Sequence, residues 1–396
     1  MLAVTAALER IEALIGRLEA ESVPLVRAGG RVLAAPLRAD LDFPPFDTTA
    51  MDGYAIRLGE PNRKEREGVV GAGNAMPEPL RKGEAVRVMT GAPLPAGTEA
   101  VVPVEDVERR EGAIHPASEP RAGAHVRRRG EVFRTDASLL SAGERLTPAR
   151  ILLCATAGAD PVSAIRLPRV VLAATGNELV EASRAPHAAE IRNGNGPAIS
   201  AALAARGIVA ATGPALADDE ASLRAFFDDA GSRADLLLTT GGVSVGDYDR
   251  TVSAAKGAGF EIIFHGVSIK PGKPVAFGRR DGCFWFGLPG NPVSALTTFH
   301  VFVEAALDAF EGARRDRFVL ARLAGPITVR PGRETYRDAR LFRRGAELIV
   351  EILATRGSHD ILAQSGRNAL AAFPAEGGSW KEGDVTRCLP LSPAIA

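Results

Sequence analysis

Cysteine is scarce: there are three in 396 residues, and Cys154, Cys283 and Cys388 stand far apart. They form no CxxC pair, which excludes a disulfide framework and a cysteine-rich metal site. Their apolar neighbours predict buried, unreactive thiols in a reducing compartment. Aromatic residues make up only 5% of the chain, so the cores must be built from Ala, Val, Leu and Ile. Net charge is absent, because 48 basic residues balance 48 acidic ones. The positive excess needed for general nucleic-acid binding is therefore missing. No apolar run approaches the roughly 20 residues of a membrane-spanning helix. The N-terminal MLAVTAALERIEALIGRLEA carries acids and bases where a signal peptide has its apolar core. The six histidines show no HExxH-like spacing, and no Ser/His/Asp triad is legible. A cytoplasmic enzyme of several domains remains, since about 100–200 residues per domain allows two to four.

Glycine (42) and proline (27), in contrast, are plentiful. Val4, Leu8, Ile11, Leu14, Ile15 and Leu18 recur at helical spacing and predict a first helix ending before Ser22. Residues 53–145 hold short β-like runs such as Ala85–Met89 and Ala100–Val104, separated by turns rich in Gly and Pro. They predict an all-β lobe. Thr147 as N-cap, Pro148 at the first helical position and Gly158 as the stop predict a helix. From 168 onward, strands alternate with helices. Expected strands are 169–174, 208–211, 235–239 and 284–286. Expected helices start at Asn195, at Asp218 and at Pro292. This alternation predicts a parallel-sheet α/β domain. Beyond Gly312, short β runs predict a small C-terminal β domain.

Ligands of an open parallel sheet bind beyond the carboxyl ends of its strands, and four motifs fall there. Thr175-Gly176-Asn177-Glu178 follows the first strand and brings a carboxylate to the mouth. TTGGVSVGDYD (239–249) follows another, with Gly241, Gly242 and Ser244 leaving amides free for an anion. Asp247 and Asp249 come at once after it, and carboxylates beside a phosphate imply a bridging Mg²⁺. Lys270-Pro271-Gly272-Lys273-Pro274 holds two point charges for an oxyanion. Pro289-Gly290-Asn291-Pro292-Val293-Ser294 runs into a helix N-terminus, whose free amides and dipole favour an anion. Any one of these turns is commonplace. Four at one edge point to a phosphorylated or oxyanionic small molecule with a divalent metal.

The strings TTAMDGYA (48–55), MTGAPLPAGTEAVVPVED (89–106), RRRGE (127–131), TGNELV (175–180), TTGGVSVGDYD (239–249), IKPGKP (269–274) and LPGNPVSA (288–295) occur in this order. In order and spacing, over nearly the whole chain, they resemble the molybdopterin molybdenumtransferases, the MoeA/gephyrin E-domain family. The resemblance implies a multidomain α/β plus β fold. Its parts would be a linking subdomain (1–50 and 140–167), a β-rich lobe (51–139), a molybdopterin-binding α/β domain (168–312) and a C-terminal β domain (318–396). It implies a cytoplasmic homodimer that inserts molybdenum from molybdate into adenylylated molybdopterin and releases AMP, assisted by Mg²⁺. The site would lie between the α/β domain of one protomer and the N-terminal lobe of the other. The adenylyltransferase and molybdoenzyme apoproteins would be further partners, with neither nucleic acid nor membrane involved.

Carried over residue by residue, the resemblance gives Lys270, Lys273 and Ser294 to molybdate and the adjoining phosphate, and Arg337 to the same pocket. Asp249 and Asp218 match carboxylates tied to the metal and to pyrophosphate cleavage. Glu178 matches the carboxylate of the TGNEL loop, Asp52 and Thr90 match functional positions in the lobe, and Ser365 is a weaker match. Thr175, Gly176, Gly241, Gly242, Ser244, Pro274, Pro289, Asn291 and Pro292 complete the ligand-facing loops. Two positions depart from the family pattern: Val132 stands where an acid follows RRRGE, and Asn193 where Asp is common. Two other activities use overlapping features. One is adenylylation of molybdopterin, which uses the same α/β domain but not the β domains. The other is a scaffold that binds molybdopterin without turnover.

Overall fold

The structure is a computed structural model that describes residues 1–243, 250–313, 316–357 and 359–391. The chain divides into two compact units, one of residues 1–19 with 165–396 and one of residues 20–164.

The larger unit is built on a six-stranded sheet. Its strands, in chain order, are β1 (Val170–Ala174), β2 (Ala211–Thr212), β3 (Leu236–Thr240), β4 (Glu261–His265), β5 (Ala276–Arg280) and β6 (Cys283–Leu288). They lie side by side in the order β2-β1-β3-β6-β5-β4. The first four are mutually parallel. β5 runs antiparallel to β6, and β4 antiparallel to β5. The parallel-sheet expectation holds for these four strands, and an antiparallel pair extends the sheet at one edge. A tight reversal through Asp281 and Gly282, both with positive φ, returns the chain as a hairpin, and no crossover helix intervenes. β1 and β3 are buried along their whole length, as strands covered on both faces must be.

Local signals decide several boundaries differently from the sequence expectation. The first helix spans Val4–Leu14 and stops because Ile15 turns extended; Leu18 instead donates its amide to the Phe310 carbonyl. The helix Glu220–Gly231 is capped by Asp219 rather than Asp218, with Asp219 accepting from the Ser222 amide at 2.8 Å. Ile208 is buried but unpaired in the sheet, whose edge strand starts at Ala211. The helix Asn195–Ala204 has no cap from Asn195. Its first free amide, that of Gly196, donates to Asn193 Oδ1 at 3.0 Å. Asp could accept the same bond, so Asn193→Asp is expected to leave stability unchanged, whereas Asn193→Ala should cost about 1 kcal/mol, read as a lowered thermal midpoint.

One continuous helix, Pro292–Phe310, is long and apolar enough by length and composition to cross a membrane, which corrects the expectation that no run comes close. In the fold, 83% of it is buried. Phe299, Val303, Leu307 and Phe310 pack with Phe264, Phe277, Phe286 and Ile11 into one core. Its length therefore serves core packing. Cys154, Cys283 and Cys388 are buried free thiols. Burial pushes Cys283 and Cys388 up to about 12, so they are poor nucleophiles at neutral pH.

In the same unit, Val319–Leu323, Glu334–Arg344, Glu347–Ile352, Ala369–Phe373 and Val385–Pro390 pair round a complete circuit. This five-stranded barrel leaves no open edge among its strands. Ile269–Lys270 pairs in parallel with Glu334 and Thr335 at its rim.

The smaller unit carries a six-stranded sheet in the order Ala100–Pro103, Gly53–Ile56, Glu84–Val88, Arg63–Val70, Ala113–Pro116, Val107–Arg110. Its helix Pro148–Thr156 is capped by Thr147 and stops at Gly158 with φ +78°, as the sequence predicts. This helix packs on a separate core that includes Leu25, Leu33 and Leu146.

Candidate functional site

The loops that follow β1, β3 and β6 meet at the carboxyl edge of the sheet. Thr175 is buried, and its amide donates to the Thr240 carbonyl at 2.8 Å. Gly241 lies against it. A Cβ at 241 would stand 2.5 Å from the Thr175 carbonyl oxygen, and φ is +97°, so only glycine fits. Gly290 in turn sits over Gly241, with its ideal Cβ 3.4 Å from the Gly241 Cα. Asn195 Nδ2 donates to the Gly290 carbonyl at 2.8 Å and ties the helix Asn195–Ala204 to that loop. Gly242 has φ +67° and packs on Thr251.

The Lys270–Lys273 turn joins this edge through Gly272. A Cβ there would meet Thr298 Cγ2 at 2.3 Å and the Ser294 carbonyl oxygen at 3.6 Å. The lysine loop is therefore seated directly on the first turns of the helix Pro292–Phe310, which carries buried Ser294. The Lys273 carbonyl accepts from the Val267 amide at 3.0 Å, which anchors the loop by its backbone. Lys270 is exposed and Lys273 half-buried, and neither side chain has an ion-pair partner among the described residues. Pro274 continues the turn, while Pro289, Asn291 and Pro292 form the entry to the helix. The positive end of the helix dipole lies at that entry.

Carboxylates line the other flank. Glu178 is exposed and lies back over Gly176, where a Cβ would be 2.6 Å from Oε2. Asn177 Oδ1 accepts from the Asp218 amide at 3.1 Å, which brings Asp218 beside the same loop. Asp218 Oδ1 is a buried atom with no hydrogen-bond partner among the described residues. A buried acceptor without a donor calls for a missing partner, and a cation would satisfy it. Among the described residues, no group of three or more His, Cys, Asp or Glu could hold a metal. Mg²⁺ does not need one, because it binds through one or two carboxylates plus substrate phosphates. Ser244 and Asp249 lie outside the described residues.

Arg337 stands on the barrel strand Glu334–Arg344, opposite Ala371, with a buried Nε that has no hydrogen-bond partner among the described residues. Ser365 ends the exposed short helix Ile361–Ser365, and its hydroxyl donates to the Leu362 carbonyl at 2.7 Å. In the smaller unit, Asp52 and Thr90 come together. Asp52 Oδ1 accepts from the Thr90 hydroxyl at 2.6 Å and from its amide at 2.7 Å. These two bonds hold the Asp52 carboxyl below the usual carboxylate range. Val132 is exposed in the RRRGE loop. The neighbouring Glu131 accepts from the Arg128 amide at 2.8 Å, so its carboxylate is turned back into its own loop.

Arg330 and Arg333 were missed by sequence reasoning. They line a cleft with Lys270. The signal was present: Arg330-Pro331-Gly332-Arg333 repeats the spacing of Lys270-Pro271-Gly272-Lys273.

Two family models match the chain, the MoeA N-terminal region (domain I and II) over residues 2–158 and a probable molybdopterin binding domain over residues 172–309. The molybdopterin molybdenumtransferase of Haemophilus influenzae is 36% identical over 301 residues, covering 75% of this chain and 74% of its own. The one from a Nostoc species is 31% identical over 373 residues, covering 90% and 85%. A crystal structure of the molybdopterin biosynthesis MoeA protein from Pyrococcus horikoshii superposes with a TM-score of 0.84 at 29% identity, covering 99% of both chains. With similarity of this extent running through both units, the chain belongs to the molybdopterin molybdenumtransferase family.

Proposed function

We propose that this enzyme takes molybdate and adenylylated molybdopterin, inserts molybdenum at the dithiolene and releases AMP. The carrying observation is the seating of the Lys270–Lys273 turn on the Ser294 end of the helix, beside the closely packed Thr175, Gly241 and Gly290 loops. That arrangement offers two fixed cations, a hydroxyl and a helix N-terminus to a tetrahedral dianion. Lys270, Lys273 and Ser294 hold molybdate and the nearby phosphate. Gly242 offers its backbone to the pterin phosphate, while Thr175, Gly176 and Gly241, whose amides donate to the Thr240, Leu216 and Leu288 carbonyls rather than standing free as the sequence suggests, shape the loops it rests on. Glu178 offers a carboxylate at the mouth to accept the proton of the attacking water. As water bonds to phosphorus, the phosphoanhydride P–O bond breaks and AMP leaves. The two dithiolene thiols of the bound pterin then bond molybdenum, displacing one oxide of molybdate, which leaves as water with the two thiol protons. Charge positioning supplies most of the rate, as in other phosphoryl chemistry.

Mg²⁺ held by Asp218 would neutralise the phosphates and polarise the anhydride. Asp218→Asn is therefore expected to raise the Mg²⁺ concentration for half-maximal activity several-fold, checked by titrating Mg²⁺ in the turnover assay. Asp52, Thr90, Arg337, Ser365 and the carboxylate of Asp249 are assigned to the same reaction, carried out by a homodimer in the cytoplasm.

The test is AMP release from adenylylated molybdopterin on adding molybdate, with tungstate in parallel because both are tetrahedral dianions. Release dependent on the oxoanion is the expected result. Tight binding without release would identify a scaffold. Adenylylation of molybdopterin by ATP would identify the adenylyltransferase, which the two β-rich regions and the near full-length relatives disfavour.

A further inference from the structure

The turn Arg330-Pro331-Gly332-Arg333 and the turn Lys270-Pro271-Gly272-Lys273 are 60 residues apart in sequence but joined in space. Ile269 and Lys270 pair in parallel with Glu334 and Thr335. Arg333 Nη1 donates to the Ile269 carbonyl at 3.3 Å. Thr335 Oγ1 donates to the Arg333 carbonyl at 3.0 Å and stiffens the turn from within. Between the two turns lies a cleft of about 330 Å³, lined by Met1, Lys270, the turn 330–333 and Thr335.

Among the described residues, no carboxylate lines this cleft. Lys270, Arg330 and Arg333 have no ion-pair partner among the described residues. The adjacent carboxylate in sequence, Glu334, is engaged elsewhere: the Tyr336 hydroxyl donates to its Oε1 at 2.8 Å. Three cations gathered around one concavity repel one another until an anion enters. Two of them are guanidinium forks, which match the paired oxygens of an oxoanion or phosphate. The cleft is far roomier than a single water requires, so a tetrahedral ion can enter with part of its hydration shell.

We propose that this cleft is a second anion site, a vestibule that captures a tetrahedral dianion and presents it to Lys270. Lys270 is shared, because it lies both on this cleft and in the Lys270–Lys273 turn seated on Ser294. Capture at an exposed basic cleft raises the local concentration of a dilute oxoanion. Transfer then requires only a move from one side of Lys270 to the other, with no bond made or broken. This inference rests on the proposed reaction for the identity of the ion. The same chemistry would also accept the phosphate of a nucleotide ester.

Calorimetric binding of tungstate, inorganic phosphate and AMP to the full chain tests it, comparing the native sequence with Arg330→Gln/Arg333→Gln. The double variant is expected to bind tungstate at least tenfold more weakly and to show a KM for molybdate raised about tenfold, with kcat changed less than twofold. Arg330→Lys/Arg333→Lys keeps the charge but not the forks and should fall between. An unchanged thermal melt excludes misfolding. A loss confined to AMP would support the anion site with the phosphate ester as its ligand. Unaltered affinity for all three probes overturns the proposal. If the native chain releases no AMP, the assigned reaction fails, while tungstate binding still decides the cleft.

Discussion

Lys273→Ala is expected to lower AMP release by about a hundredfold to a thousandfold while leaving the thermal melt in place. In its proposed role Lys273 is one preorganised charge facing the oxyanion, and removing such a charge costs about this much. The retained fold follows from how the loop is held. Its anchors are the Val267 amide on the Lys273 carbonyl at 3.0 Å and the close packing of Gly272 on Thr298. Neither involves the lysine side chain, and no ion pair among the described residues is lost with it. Turnover at saturating molybdate, alongside a melt, separates the two effects. Lys273→Arg keeps the charge but enlarges the head group, and is expected to recover part of the activity. Full activity in Lys273→Ala would remove the oxyanion role from this loop. Lys273→Ala should act on kcat, whereas Arg330→Gln/Arg333→Gln should act on KM.

Asp235→Ala is expected to destabilise the larger unit by about 3–5 kcal/mol, the range for breaking a buried ion pair by removing one partner. Asp235 is only 5% exposed and stands at the start of β3. It accepts from Arg166 at 2.6 and 2.9 Å and from Arg169 at 2.7, 3.0 and 3.2 Å, the 2.7 Å bond coming from the Arg169 amide. Truncation leaves Arg166, itself largely covered, short of its main acceptor. These contacts pin the amino ends of β1 and β3, the strands whose carboxyl ends carry the Thr175 and Gly241 loops. A drop in the thermal midpoint should therefore come with reduced activity.

The pH dependence has a defined sign. Burial alone would raise the Asp235 carboxyl, but the hydrogen bonds from Arg166 and Arg169 outweigh it and hold the group well below the usual carboxylate range. A depressed folded value means that the unfolded chain takes up a proton first as pH falls. The contribution of Asp235 is complete above about pH 4, the ordinary range for Asp, and is lost progressively below it. Asp235→Asn should flatten that acid limb of the stability profile. An acid limb identical to that of the native chain would show that other groups carry it.

Features governed by a few neighbouring residues were legible without coordinates. Thr147-Pro148 and Gly158 bracket a helix as expected, because capping and positive φ are settled within a turn of backbone. The apolar runs that became β1, β3 and β6 were found for the same reason, as were the motifs that follow them. Misreadings cluster where two similar residues compete for one local role. Asp219 caps in place of Asp218, and Asn193 in place of Asn195, because each cap needs one particular geometry that composition does not specify. The hairpin of β5 and β6 is not legible in the sequence, since its turn at Asp281-Gly282 gives no crossover helix to count.

By itself, the sequence determined the family, the presence of a strand-rich region on either side of an α/β domain, and the residue types available to bind an oxyanion. These follow from short strings whose meaning is local. Only the tertiary structure decided which loops touch: Gly241 on Thr175, Gly290 on Gly241, Gly272 on Thr298. It also decided that the barrel closes, and that Arg330 and Arg333 come to Lys270 through the pairing of Ile269–Lys270 with Glu334 and Thr335. Such pairings join residues tens of positions apart, and their choice depends on the packing of whole sheets against shared cores. No local pattern of glycine, proline or charge carries that information.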